Sequence, residues 1–199
     1  MKKQLLLQIK GKKYDLSQKI WLMGVINTTP DSFSDGGLYL QPREAVKRAL
    51  DLITQGADII DIGGESSRPG SDPITSDEEK QRVLPVIRGL RKETDILISI
   101  DTTKADVAHA ALEEGADIIN DISALRFDPQ MTALAARKNV PIILMHMKGT
   151  PKNMQFDPYY ENVFTEIRDF FIERISMATA QGINAQNIIL DPGIGFGKR

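Results

Sequence analysis

Asp101, Asn120 and Asp191 each follow a short apolar run, at Ile96–Ile100, Ala116–Ile119 and Asn187–Leu190. Carboxylates accept hydrogen bonds, and an amide both donates and accepts them. Two acids and an amide converging on one mouth suit a flat heterocycle with ring N–H and amino groups. They suit a Ser or Cys acyl-transfer triad poorly, and the chain has no cysteine at all. Each residue also has a local reading. An Asp just before a helix can cap it, and an Asn at a strand end is commonly a turn residue.

Two loops carry the other candidate groups. The first, Asn27-Thr28-Thr29-Pro30-Asp31-Ser32-Phe33-Ser34-Asp35-Gly36-Gly37, is too rich in Pro, Gly, Asp and Ser for regular structure. It reads either as a plain connector or as a lid that orders over a ligand, with Phe33 as its aromatic residue. The second is Gly63-Gly64-Glu65-Ser66-Ser67-Arg68-Pro69-Gly70. Its glycines allow close backbone approach, its hydroxyls donate, and Arg68 offers a planar fork for phosphate or carboxylate. A Gly-Pro turn with a solvated Arg is the plainer account. Met145, His146 and Met147 close a further run, and a polarisable Met can pack on a ring face. The only other histidine, His109, falls on a predicted helix, so a two-histidine zinc site is not expected.

The elements that must position these groups alternate. Apolar runs of strand length occur at Ile20–Ile26, Ala57–Ile62, Ile96–Ile100, Ala116–Ile119, Val140–Met145 and Asn187–Leu190. Their lack of polar alternation predicts strands buried on both faces. Amphipathic stretches predict helices over Pro42–Gln55, Ser76–Lys92, Lys104–Glu114, Pro129–Lys138 and Tyr159–Gln181, with Pro85 expected to kink or end the second. Gly56, Gly115 and Gly182 stand where left-handed helix caps belong. The segment Leu5–Leu16, within an N-terminal hairpin unit 4–16, predicts two strands with a turn at Gly11-Lys12-Lys13. Strand, helix, strand, repeated, means parallel strands and right-handed crossovers. Gly56-Ala57-Asp58-Ile59-Ile60-Asp61-Ile62 also echoes Gly115-Ala116-Asp117-Ile118-Ile119-Asn120-Asp121-Ile122. Polar residues close strand after strand, which predicts an α/β fold of the TIM (β/α)8 barrel kind, with its site at the carboxyl ends. A closed barrel has eight strands and about 250 residues. This chain of 199 residues offers six runs, so the expectation is one domain, residues 1–199, that stops after about strand six.

Composition is consistent with this. Lys plus Arg number 25 against 27 Asp plus Glu, so no basic surface for nucleic acid is expected. No apolar run reaches membrane-helix length, and Gln8 and Lys10 interrupt the opening apolar run before it could act as a signal peptide. A cytoplasmic protein is expected, with no membrane partner.

Taken together, these motifs resemble the dihydropteroate synthase family. The match comprises Asn27–Gly37, Gly63–Gly70, Asp101-Thr102, Ile119–Asp121, Met145–Met147 and the stretch Asp191-Pro192-Gly193-Ile194-Gly195-Phe196-Gly197-Lys198, in family order. The resemblance implies condensation of 6-hydroxymethyl-7,8-dihydropterin diphosphate with 4-aminobenzoate, giving 7,8-dihydropteroate and diphosphate with the help of Mg2+. It implies that Asn27 meets the magnesium–diphosphate unit and that Asp101, Asn120, Asp191 and Met145 hold the pterin. It further implies that Phe33, Ser67 and Pro69 form the aminobenzoate pocket, with Arg68 in the catalytic set beside Asp101 and Asn27. Position 67 is commonly Thr in the family; the Ser here keeps the hydroxyl and loses a methyl.

The family also carries a Lys after strand seven and an Arg-x-His after strand eight, which lie beyond this sequence. Lys198 belongs to the strand-six motif and is not that Lys. The chain by itself is therefore expected to be inactive, with its first and sixth core strands as bare edges. The full-length form is expected to be a homodimer. Three other readings stand beside this one: a pterin-dependent methyltransferase, a non-catalytic pterin-binding subunit, and an unrelated phosphosugar barrel enzyme. The last is disfavoured by the lack of an obvious Lys or Glu base at a strand end.

Overall fold

The structure, a computed structural model, describes residues 5–29, 40–66 and 71–198. It opens with an antiparallel hairpin, β1 (Leu6–Ile9) against β2 (Lys12–Asp15). The turn is Lys10-Gly11, one residue earlier than the sequence suggested. Both residues have positive φ, 48° and 78°, the pairing a tight two-residue hairpin turn needs.

Six parallel strands follow: β3 (Met23–Asn27), β4 (Ile59–Gly63), β5 (Leu97–Asp101), β6 (Ile118–Asp121), β7 (Ile142–Met145) and β8 (Ile188–Asp191). The helices between them are α1 (Leu40–Thr54), α2 (Ser76–Glu93), α3 (Ala105–Glu113), α4 (Pro129–Lys138) and α5 (Val163–Ala180). The strand order is sequential, β3-β4-β5-β6-β7-β8. That is the winding of a barrel, without the order reversal of a doubly wound sheet. Among the described residues the barrel is not closed. β3 and β8 are unpaired edges, and Met23, Val25 and Leu190 on them are 37%, 55% and 43% exposed.

Local sequence explains most boundaries. The Thr75 hydroxyl accepts the Glu78 N–H at the start of α2, and Asp77, Glu78 and Glu79 fill its first turn. Asp128 caps α4 ahead of Pro129, and Asn139 ends it in the left-handed region. Gly56, Gly115 and Gly182 all adopt positive φ, as the sequence predicts. Pro85 does not end α2, which runs on to Glu93. The Gln81 carbonyl that loses its partner belongs to an exposed residue, where water can replace the missing N–H. Ile20 is not in a strand; it is 86% exposed, and β3 starts only at Met23.

Strand alternation splits the core in two. Ile60, Ile62, Ile98, Ile100, Ile119, Ile142 and Leu144 face the helices. The opposite, inner face begins with Ile59, Leu97, Ile118 and Ile143, which pack against Leu7 and Ile9 of the hairpin. The hairpin is thus a floor under the amino ends of the strands. It is tied down by Asp117, which is 3% exposed. Asp117 pairs with Lys10 at 2.5 Å and Arg91 at 2.7 Å, and accepts the Ile98 N–H at 2.9 Å.

Removing one partner from a buried ion pair leaves an uncompensated charge. Asp117→Ala should therefore lower unfolding stability by about 3 kcal/mol or more in urea titrations, because Arg91 would remain without its carboxylate.

Candidate active site

The inner face changes character along the strands. Above the apolar floor come Asp61 on β4 and Ser99 on β5, which are register partners. Two residues further on stands the row Asn27, Gly63, Asp101 and Asn120, each paired with the next across adjacent strands. Asn120 pairs with Ile143, which pairs with Ile189; Met145 and Asp191 lie two residues beyond, on the same face. Register alone therefore places Asn27, Asp101, Asn120, Met145 and Asp191 at the carboxyl ends with a common orientation.

Asp61 connects the acids. Its Oδ2 accepts the Asn120 Nδ2–H at 3.2 Å, while Oδ1 is buried without a partner. The Ser99 hydroxyl is close enough to favour the Asp61 anion, yet it makes no bond of good geometry. Burial pushes the Asp61 carboxyl up, against the help of Ser99 and Asn120, and the Asp191 charge pushes it the same way. Asp101 is raised well above the ordinary carboxylate range. Burial is the main cause, followed by the charges of Asp61, Glu79, Asp121 and Glu65. A cluster of this kind favours a bound proton, a cation or donor-rich ligand.

Local alternatives for these residues are resolved by their partners. Asp101 does not cap α3: Lys104 occupies the cap position, and Asp128 accepts the Ala105 N–H. Asn120 is a strand residue; the turn is made by Asp121, whose carboxylate accepts the N–H groups of Ser123 and Leu125. Asp191 accepts the Gly193 N–H at 2.7 Å on its side chain and the His146 N–H at 2.9 Å on its carbonyl. Met145 is buried with Met147 and Met154, beside Ile122 and Phe196.

Asn27 stands at the edge strand and is exposed, next to a cavity of about 410 Å³ that Lys47 and Arg48 also line. A Cβ at Gly63 would lie 3.3 Å from Asp101 Oδ2 and 3.7 Å from Asn27 Oδ1, so glycine keeps the space between them open. At Gly64 a Cβ would meet Val83 and Glu79 side chains at 2.8 Å and 2.9 Å, so the loop after β4 sits directly on α2. Glu65 anchors that loop, accepting from the Ile74 N–H and from Lys104, which also reaches buried Glu79. Phe33, Ser67, Arg68 and Pro69 lie outside the described residues.

Asp61, Ser99, Glu79 and Lys104 were not among the sequence-based candidates. Asp61 had a visible signal: a carboxylate inside Ile59-Ile60-Asp61-Ile62, at even spacing from Gly63. Glu79 and Lys104 had none, because they lie far apart in sequence, one inside α2 and one at the cap of α3. His146 is 5% exposed and packed edge-on by Phe170 at 4.9 Å; its Nδ1 has no partner. His109 sits on α3 near Glu113 and takes no part in the site.

The chain matches the family model described as pterin binding enzyme over residues 23–199. It is similar to the dihydropteroate synthase of Synechocystis sp., 48% identical over 185 residues, covering 93% of this chain and 64% of that protein. To the Escherichia coli K12 dihydropteroate synthase it is 46% identical, covering 94% of this chain and 66% of that one. The chain thus spans just under two thirds of the length of these curated relatives. Among solved structures, the Yersinia pestis enzyme with a sulfonamide drug complex superposes with TM-score 0.89 at 43% identity, covering 98% of this chain and 70% of that one. The Xanthomonas albilineans enzyme with 4-aminobenzoic acid gives TM-score 0.90 at 42% identity, covering 99% and 69%. The same enzyme in complex with 7,8-dihydropteroate gives 0.84 at 40%, covering 98% and 68%.

Burial, with the nearby Lys198 charge next in effect, lowers the His146 pKa from 6.5 to about 4. Between those values the unfolded chain binds the extra proton, so this group's contribution to stability is present above pH 6.5 and falls towards pH 4. Urea titrations of wild type and His146→Phe across that range should show the stability difference shifting in the variant's favour as the pH drops.

Proposed function

The chain belongs to the pterin-binding enzyme family, and from that premise we propose that it carries the pterin half of a dihydropteroate synthase site. The reaction proposed joins 6-hydroxymethyl-7,8-dihydropterin diphosphate to 4-aminobenzoate and releases diphosphate. The observation that carries this reading is the polar inner face: Asp61 bonded to Asn120 and within the field of Asp101 and Asp191, above an apolar floor. A fused bicyclic ring with N–H and amino donors can satisfy several such acceptors at once, and Met145 offers a polarisable flank.

Departure of diphosphate leaves positive charge on the pterin methylene carbon, which the electron-rich ring delocalises. An anion close to the ring stabilises that charge. Asp101 is suited to it: without a ligand it resists ionisation because of burial and its acidic neighbours, and a ring that becomes cationic reverses the balance. The arylamine then attacks the trapped carbon, so no covalent nucleophile is needed and positioning supplies much of the rate. Phe33, Ser67 and Pro69 are proposed to hold the aminobenzoate, and Arg68 an anionic group.

Magnesium, when bound, would neutralise diphosphate charge. The described residues form no cluster of three acidic, His or Cys groups that could hold a metal. Asn27 fits an ion brought largely by substrate oxygens and water, to which it would add one amide oxygen. Asn27 and Asp191 end β3 and β8, the two edges of the open sheet. Nothing among the described residues bridges those edges, so pterin binding without turnover is proposed for the 199-residue chain. The full-length enzyme is proposed to be a cytoplasmic homodimer; no described helix is long and apolar enough to cross a membrane.

Asp101→Asn keeps shape and removes charge. Pterin affinity, read by fluorescence titration with 6-hydroxymethylpterin, should fall by about tenfold or more, as for loss of a charged hydrogen bond. The melting temperature should hold or rise, since a carboxyl crowded by four others is removed. Unchanged affinity would refute the role of Asp101, and failure of the wild type to bind would refute the function itself. Asn27→Ala should weaken magnesium-dependent binding of the diphosphate substrate in calorimetry while leaving 6-hydroxymethylpterin affinity nearly intact.

A further inference from the structure

We propose that Lys198 is a positioning residue: its ammonium laces the exit of β7 to the loop after β8, and so fixes where Asp191 and Met145 stand. This rests on the pterin reading above and adds to it a residue whose ammonium donates to main-chain carbonyls. Lys198 Nζ donates to three carbonyls, His146 O at 3.0 Å, Gly193 O at 2.8 Å and Phe196 O at 3.1 Å. An ammonium has three protons, and each has an acceptor.

The carbonyls it gathers belong to residues tied to the site. The His146 N–H donates to the Asp191 carbonyl, and the Gly193 N–H donates to the Asp191 carboxylate. Gly193 has φ +63°, and a Cβ there would lie 2.2 Å from His146 O and 3.0 Å from Met145 Cγ. The loop after β8 is therefore pressed onto the end of β7, with carbonyl oxygens of both segments brought close together. Carbonyl oxygens gathered at one point repel, and the half-buried ammonium between them offsets that repulsion. Gln155 and Tyr160 secure the same loop further out, at Gly195 O and Gly197 O. Burial lowers the Lys198 pKa while the Asp191 charge opposes the shift, consistent with an ammonium set within the field of the pterin-holding acid.

A side chain without a donor at position 198 would take one donor from each of these oxygens, leaving Gly193 O with the Phe196 N–H alone, and let the loop lift. Asp191 would lose its fixed place relative to Asp101 and Asn120, although the strands themselves would remain.

The chain has no cysteine, which permits a chemical test. Lys198→Cys introduces a single thiol. Alkylation with 2-bromoethylamine forms one C–S bond, expels bromide, releases the thiol proton to buffer, and restores an ammonium at nearly the lysine reach. The cysteine variant should bind 6-hydroxymethylpterin at least about tenfold more weakly, and the aminoethylated variant should recover most of that loss. Independently of any ligand, the His146 and Gly193 amides should exchange hydrogen faster in the cysteine variant and slow again after alkylation. Lys198→Gln, which keeps an amide donor, serves if the cysteine variant fails to fold, and should show an intermediate loss. Equal pterin affinity in wild type and variant overturns the proposal. If the wild type itself binds no pterin, the functional reading fails, and amide exchange alone decides: acceleration supports the staple, and unchanged exchange overturns it.

Discussion

Several carboxylates must share a confined, poorly hydrated space, and the rest of the structure answers to that constraint. Asp61, Asp101 and Asp191 project from one inner face, with few neutral donors to offset their charge: Asn120 for Asp61 and the Gly193 N–H for Asp191. Like charges at such distances cannot all ionise freely. The unliganded site is consequently short of hydrogen-bond donors and positive charge. A ligand rich in N–H groups, or one that becomes cationic as it reacts, corrects both deficits at once. Affinity and transition-state stabilisation thus draw on the same imbalance.

Strand pairing is what maintains the crowding. A parallel register puts Asn27, Gly63, Asp101 and Asn120 in one row, and a slip of one residue would turn these groups to the helices. Slipping is opposed by the isoleucine and leucine layer of the outer face, which packs against α1 to α5. Glycine supplies room where the polar groups are closest, at Gly63, and close approach where loops meet neighbouring elements, at Gly64 and Gly193. The acids are therefore held together by apolar packing and backbone geometry, against their own repulsion.

Much of this was legible in the sequence. Apolar runs without alternation located the buried strands, since a strand covered on both faces has no polar side to show. Cap glycines at Gly56, Gly115 and Gly182 marked helix ends because no other residue adopts that backbone as readily. Ile20 misled because hydrophobicity does not guarantee burial: the chain has not yet reached the sheet there. Pro85 does not end its helix because one missing N–H is tolerated where the orphaned carbonyl can meet water. The site was half legible. Residues at strand ends announced themselves by breaking apolar runs. Asp61 was hidden within a run, and the Lys104 link to Glu65 and Glu79 depends on tertiary approach that no local pattern encodes.

The hairpin floor separates two demands that commonly conflict. Asp117 immediately precedes β6, with Lys10 and Arg91 around it, whereas Asn120 is the penultimate residue of that strand, near the mouth. Thermal robustness can thus be adjusted at the bottom of the barrel while the reacting groups above keep their places. Lineages adapting to warmer or colder habitats would find in those three residues, and in Leu7 and Ile9, a dial for rigidity that leaves substrate preference alone.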